Sequence, residues 1–292
     1  MRAQRECYPC LEGLARRTAG LAAPEGAGRE KAFQKGLTYL AQNFSNDQIP
    51  TRLAGEMQRA IRAAAENKDP FLAVKEKEMQ IAHGLAEEIR LSLGNDLPAL
   101  IAFAAKGNSI DFFLDFGKVR EEILKPVTFA RNDTGALYSL LEDFQKSPER
   151  KKILFFADNA GECYFDLPLV QKLEDFAEVT YVVKENPVQN DLTLSDLERS
   201  GIRDQFKRVM TTGSDTPGLD LSLVSKEFFE TLVCADLLFA KGMGYYETLP
   251  ELCVPAPAFF LLKAKCPPIA RSLNVPLNSY VACLLDYWYN FH

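Results

Sequence analysis

From residue 153 onward the sequence repeats one pattern: a short apolar run, a polar or glycine-containing break, then a segment with helical spacing. The apolar runs fall at 153–157, 179–183, 206–211, 236–240 and 257–263, and helical segments fit between them at 162–176, 193–200, 222–231 and 246–252. Strands alternating with helices in this way predict an α/β fold with a parallel sheet and right-handed crossovers. The run Ile153 to Ala157 is apolar without alternation, as expected of a strand buried on both faces.

The first 125 residues read differently. Segments 6–22, 29–43, 49–67, 73–93 and 97–105 carry 3.6-residue spacing, with breaks at Ala23-Pro24, Ser45-Asn46-Asp47, Lys68-Asp69-Pro70 and Gly94-Asn95-Asp96. The expected organisation is therefore a helical region at 1–125 and an α/β region at 126–292, with a further helix around Gly135 to Phe144. A net charge of −6 leaves no general basic footprint for nucleic acid. No apolar run reaches the ~18 residues that suggest a membrane span. The charged start Met1-Arg2-Ala3-Gln4-Arg5-Glu6 does not resemble an export signal, so the seven irregularly spaced cysteines are expected to be mostly reduced, in a cytoplasmic setting. With His83 and His292 as the only histidines, a His₂- or His₃-type zinc site or a histidine-based triad is not expected.

The chemistry is expected in the loop after each strand. The first strand ends on Asp158-Asn159, and the second runs into Lys184-Glu185-Asn186-Pro187 and on to Asn190-Asp191. The third ends on Thr212-Gly213, the fourth on Lys241-Gly242-Met243-Gly244 and the fifth on Lys263-Ala264-Lys265-Cys266. In a parallel sheet all five loops share one edge, where open α/β sheets bind ligands. Acids and amides are hard oxygen donors suited to a divalent ion, while glycine-exposed N–H groups and lysines suit phosphoryl oxygens. Asp191 lies 33 positions after Asp158, about one strand–helix–strand unit, so the two acids can reach one ion. Each piece alone also fits an ordinary turn, cap or solvated strand end. Cys7-x-x-Cys10 fits half of a metal site, a redox pair or plain packing, and no second cysteine or histidine pair stands at zinc-finger spacing.

Together, Asp158-Asn159-Ala-Gly-Glu162, Asn186-Pro-x-x-Asn190-Asp191-x-Thr193, Thr212-Gly213, Lys241-Gly-x-Gly244 and Lys265-Cys266 resemble the damage-control phosphatases, formerly domain of unknown function eighty-nine. Cys7-x-x-Cys10, Asp69-Pro70 and Gly107-Asn108-x-Ile-Asp111 resemble the family's stand-alone microbial subfamily. The resemblance implies a three-layer α/β/α Rossmann-like domain without a nucleotide, carrying an all-helical N-terminal part. It implies metal-dependent hydrolysis of phosphate esters of small metabolites, sugar phosphates among them, with magnesium, manganese, nickel or cobalt as the ion. The metal ligands would be Asp158, Asn159 and Asp191, and the phosphate-binding lysine Lys265. Asn108, Asp111, Glu162, Gly213, Lys241, Gly242, Gly244 and Glu247 would contact substrate. Where the family's glycine-rich element continues Gly-Asn-Tyr-Glu, this chain has Gly244-Tyr245-Tyr246-Glu247.

On this reading Asp158 or Asp191 orients or deprotonates a water and Lys265 neutralises charge on the departing group. Two other readings differ in their requirements. A methyltransferase using S-adenosylmethionine on carboxyl groups needs an adenosine pocket and no divalent ion, and a non-catalytic metabolite-binding protein shows metal-dependent stabilisation without turnover.

Overall fold

A computed structural model describes residues 1–90, 93–108, 120–121, 123–252 and 254–286. The first helices are α1 (Cys7–Ala22), α2 (Ala27–Asn43), α3 (Pro50–Ala65), α4 (Leu72–Arg90) and α5 (Leu97–Gly107). The α/β part follows as β1 (Phe129–Asn132), α6 (Thr134–Lys146), β2 (Lys152–Phe156), α7 (Cys163–Leu173), β3 (Glu178–Val183) and α8 (Leu194–Ser200). It continues with β4 (Val209–Thr211), α9 (Lys226–Leu232), β5 (Leu237–Lys241), α10 (Gly242–Thr248), β6 (Ala258–Lys263), α11 (Pro267–Leu273) and β7 (Tyr280–Leu285).

The strands form a seven-stranded sheet in the order β1-β7-β6-β5-β2-β3-β4. All five apolar runs expected from sequence are strands, and β2 to β6 are mutually parallel. Two further strands extend one edge: β7 runs antiparallel to β6, and β1 pairs with β7 in parallel. β1, Phe-Ala-Arg-Asn, is short and buries neither face fully, so it carries no apolar run. β4 is shorter than expected because a 3-10 turn at Arg203–Gln205 precedes it. Phe206 then turns inward to stack on Tyr181, with ring centroids 4.2 Å apart, instead of joining the ladder.

Alternate residues of β2 face opposite layers. Ile153 and Phe155 point into a core shared with α5, α6 and α7, while Leu154 and Phe156 face α9, α10 and α11. Helices thus cover both faces, giving the three-layer α/β/α arrangement. The cores do not divide at residue 125. Met79 of α4 and Leu100, Ile101 and Ala104 of α5 belong to the sheet's own core, α1–α3 enclose a separate one around Leu40, Met57 and Ile61, and Leu85 and Ile89 of α4 meet Phe103 and Phe165 in a smaller one. α3 is tied to the segment after β4 by Arg59–Asp215 at 2.6 Å, Arg62–Asp215 and Arg52–Asp220 at 2.8 Å. The α1–α3 unit therefore lies over the carboxyl edge of the sheet.

Phe155 sits fully buried at the sheet centre, stacked on Phe239 at 4.6 Å and tilted against Tyr181 at 5.5 Å. Phe155→Ala should cost about 3–5 kcal/mol of stability, read from urea denaturation, because the layers on either side cannot close the hole. A loss below about 1 kcal/mol would show that this stack is not the centre of the core.

Candidate functional site

The loops after β2 and β3 are zipped together by backbone hydrogen bonds. Ala157 N donates to Val182 O at 2.9 Å, Leu192 N to Asp158 O at 2.9 Å and Ala160 N to Asn190 O at 2.8 Å. Asn159 and Asp191 thereby form an isolated antiparallel bridge beyond the parallel sheet. This pairing brings Asp158, Asn159 and Asp191 to one place. The capping box of Thr193 and Asp196 starts α8 directly behind Asp191 and fixes the end of that loop.

Asp158 is held from two sides: its Oδ2 accepts from Asn108 Nδ2 at 2.8 Å and from Asn159 Nδ2 at 3.1 Å. The Asn159 amide also donates to Glu162 Oε1 at 2.6 Å, so its Nδ2 is spent on carboxylates and its Oδ1 is the free end. Gly242 makes room for this arrangement. It adopts φ +76°, and a Cβ there would lie 1.9 Å from Asp158 Oδ2. The glycine of the Lys-Gly element is thus required by a carboxylate of the same chain, whatever the ligand.

Lys241, expected to contact substrate, has a different place. It is fully buried, and its ammonium donates to Ala104 O at 3.0 Å, Glu162 Oε2 at 2.7 Å and Asp166 Oδ1. All three of its donors are used, and none faces the cleft. Glu162, also expected at the substrate, is 1% exposed and accepts from Lys241, Asn108 and Asn159. Asn108 is likewise buried, with its Oδ1 accepting from Lys263 N at 3.0 Å. These three residues position the acids from beneath. Gly213, at φ +75°, lies against Ser225, where a Cβ would come within 2.6 Å, and it serves a tight turn away from the cleft. Asp111 lies outside the described residues.

The open part is a cleft of about 450 Å³ between the sheet edge and helices α1 and α3. Asp158, Asn159, Asp191, Gly244, Glu247 and Lys265 all line it. Lys265 follows the end of β6, and no described residue pairs with its ammonium. Lys263, two residues earlier, lies over the Tyr280 ring at 5.1 Å. Three features were not foreseen. Cys7 and Cys10 line this same cleft together with Cys266. Gly218, at φ +65°, packs against Gly244. Lys184, 1% exposed, donates to Gly218 O at 2.6 Å and Tyr245 Oη at 2.8 Å, and lies 3.8 Å from Asp191. Its position directly after an apolar strand was the available signal. Tyr245 is buried against Phe156 and does not line the cleft.

The charges are unbalanced in a way that favours a cation. Burial, reinforced by Glu162 and Asp191, pushes Asp158 well above the usual carboxylate range against the pull of Lys265 and Lys241. Burial raises Asp191 to about 6 despite Lys184 and Lys75. It lowers Lys184 to about 8, with Asp191 and Asp158 opposing. Burial also acts to raise Glu162, but Lys241 outweighs it and holds that acid below its ordinary value. Among the described residues no three His, Cys, Asp or Glu side chains are grouped to hold an ion by themselves. Two carboxylates and the free Asn159 Oδ1 nevertheless form a hard donor set of the kind Mg²⁺ and Mn²⁺ prefer.

The family model of the damage-control phosphatase ARMT1-like domain matches residues 3–281. A damage-control phosphatase of Pyrococcus horikoshii is 34% identical over 283 residues, covering 96% of this chain and 97% of its own. A damage-control phosphatase of Archaeoglobus fulgidus is 28% identical over 284 residues, covering 96% and 98%. The fold is similar to the crystal structure of a Pyrococcus horikoshii protein of the family once called domain of unknown function eighty-nine. The TM-score is 0.84 and the identity 32%, over 97% of this chain and 98% of that one.

Gly242→Ala tests the packing of the site. The new methyl group must displace Asp158 and take up a positive φ, so stability should fall by about 1–3 kcal/mol in thermal unfolding. An unchanged melting temperature would mean that Asp158 is not held where the structure has it.

Proposed function

The chain belongs to the damage-control phosphatase ARMT1-like family, and from that premise we propose that it hydrolyses phosphate monoesters of small metabolites with the help of one divalent metal ion. The observation that carries the proposal is the meeting of Asp158, Asn159, Asp191 and Lys265 in one cleft at the carboxyl edge of the parallel strands. Sugar phosphates are the first esters to test. Magnesium and manganese are the ions that the oxygen donor set suits, and nickel and cobalt stand beside them as ions the family resemblance implies.

The ion would be held by the carboxylates of Asp158 and Asp191 and by Asn159 Oδ1. When bound it supplies positive charge beside the phosphoryl oxygens and lowers the pKa of bound water. The remaining work falls to the chain. Asn108 and Asn159 hold the Asp158 carboxylate in one orientation, and Glu162 holds both amides. Asp158 or Asp191 takes the proton of the attacking water. The Lys265 ammonium offsets negative charge on the phosphoryl oxygens and the leaving oxygen. Gly244 lets backbone approach that end of the cleft, while α1 and α3 line its opposite side. No helix is long and apolar enough to cross a membrane among the described residues, and nothing in the site calls for nucleic acid.

A phosphatase screen over phosphorylated metabolites, with and without divalent ions, tests the reading directly. Asp158→Ala should reduce turnover by ~10²-fold or more while the protein stays folded. Asp191 takes its proton near pH 6 and Asp158 above the usual range, so protons compete with the ion below neutrality. Added Mn²⁺ should therefore raise the melting temperature more at pH 7.5 than at pH 5. Full activity after chelator treatment, or a Mn²⁺ shift that ignores pH, would defeat the metal assignment.

Lys265 and Lys263 form an internal control. Lys265→Ala should lower kcat/KM by ~10²-fold, as expected for a preorganised charge-stabilising donor. Lys263→Ala, on a side chain that packs over Tyr280, should change it much less. Equal effects from the two variants would remove Lys265 from the phosphate end.

A further inference from the structure

The loop that carries Asp191 is tied down at almost every residue. Arg62 of α3 donates to Pro187 O, and Asp191 N donates to Val188 O at 3.1 Å, which closes a four-residue turn. Asn190 is held at both ends: its carbonyl accepts from Ala160 N at 2.8 Å, and its side chain donates to Glu78 Oε1 at 3.2 Å. Within this turn Gln189 takes φ +47°. A positive φ at the first central position of a turn favours glycine, and a residue with a side chain is strained there. Helix α3 holds the strained conformation in place. Buried Gln58 directs its Oε1 to Gln189 N at 3.2 Å, and its own Nε2 is left without a partner among the described residues.

The side chain of Gln189 is the part of the turn left over. It is half-buried and lines the cleft two residues from Asp191, and its amide makes no hydrogen bond with a described residue. The other polar side chains of the cleft are engaged or shut away. The acids, Asn159 and Lys265 belong to the metal and phosphate end. Glu6 is paired with Arg271 at 2.7 Å, and Glu247 feels the N-terminal ammonium. Glu247 Oε2 and Thr51 Oγ1 are sealed within the packing and cannot be met from the cleft. What remains is a primary amide, with two donors and one acceptor oxygen, beside the acid end. A hydroxyl both donates and accepts and matches it, whereas an alkyl chain laid over it would bury it unpaired.

Resting on the phosphatase reading, we propose that Gln189 is a specificity-determining residue whose amide hydrogen-bonds a hydroxyl carried by the substrate's alcohol part close to the phosphate. A glycine would relax the turn but leave that hydroxyl without its partner. Discrimination of this kind works against the ester that lacks the hydroxyl, because binding it leaves the amide desolvated and unpaired.

Glycerol 3-phosphate and n-propyl phosphate share a three-carbon chain and differ in two hydroxyls, so the ratio of their kcat/KM values with Mn²⁺ present tests the contact. Comparing variants with the wild type cancels the intrinsic difference between the two leaving groups. Gln189→Gly and Gln189→Ala should both lower the ratio about fivefold, the scale of one hydrogen bond between neutral groups, with the loss falling on the glycerol ester. Gln189→Gly should also melt above Gln189→Ala, since only glycine is at ease with a positive φ. A ratio that survives both variants overturns the proposal and leaves the phosphatase reading intact. So does a wild type that hydrolyses other esters but not glycerol 3-phosphate, and so does a glycine variant that melts no higher than the alanine one. Turnover of no ester by the wild type with any divalent ion removes the phosphatase reading and this contact with it.

Discussion

A fully buried lysine ammonium holds the edge of this sheet together. Lys241 ends β5, and its three donors reach Ala104 O in α5, Glu162 before α7 and Asp166 within α7. Two acids face one cation in a fully buried place, so the arrangement retains negative charge. Burial, only partly offset by Lys241, leaves Asp166 at about 6. Removing the lysine would strand two buried carboxylates, a loss of about 3–5 kcal/mol for such a broken pair. Glu162, once fixed, orients Asn108 and Asn159, and these in turn fix Asp158. The order of the cleft is inherited from a contact that no ligand touches.

A second buried lysine does similar work on the other side. Lys184 lies beneath Asp191 and ties it to Gly218 O and the Tyr245 hydroxyl. Tyr245 stands where the family's glycine-rich element carries asparagine. Here its ring packs against Phe156 and its hydroxyl accepts from Lys184, so it supports an acid from behind. The helical layer supports the same loop: Glu78 of α4 accepts from Asn190 Nδ2 at 3.2 Å, and Lys75 pairs with Asp196 at 2.9 Å. α4 is thus part of the machinery that places Asp191, which is consistent with its membership of the sheet's core.

The parallel strands were legible because burial on both faces demands unbroken apolar runs, and Ile153 to Ala157 or Ala258 to Leu262 have no other reading. Strand order follows from topology, so the meeting of Asp158, Asn159 and Asp191 could be argued before any coordinates. β1 was not legible, since a short edge strand with Arg131 and Asn132 carries no such signal. Side-chain direction was not legible either. Lys241 and Lys265 both follow apolar strands, yet one turns inward to two acids and the other lines the cleft. Only the partners decide, and Glu162 and Asp166 are distant in sequence from Lys241. The place of the thiols was not legible for a related reason. Two cysteines on a helix say nothing of a third at residue 266, nor of the cleft between them.

The path of the chain through the cleft has a consequence for how such a protein can diversify. The groups that would handle phosphate come from residues 158 to 265, whereas much of the opposite wall, Cys7, Cys10, Leu11 and Thr51 among it, comes from the first helices. On the proposed function, reaction and much of the selectivity are therefore written in separate stretches of the gene. Drift in α1 and α3 can alter what enters while the acids, the amides and their buried lysine stay as they are. A lineage could explore new metabolites by editing its first sixty or so codons, with the reactive end of the cleft shielded from the experiment.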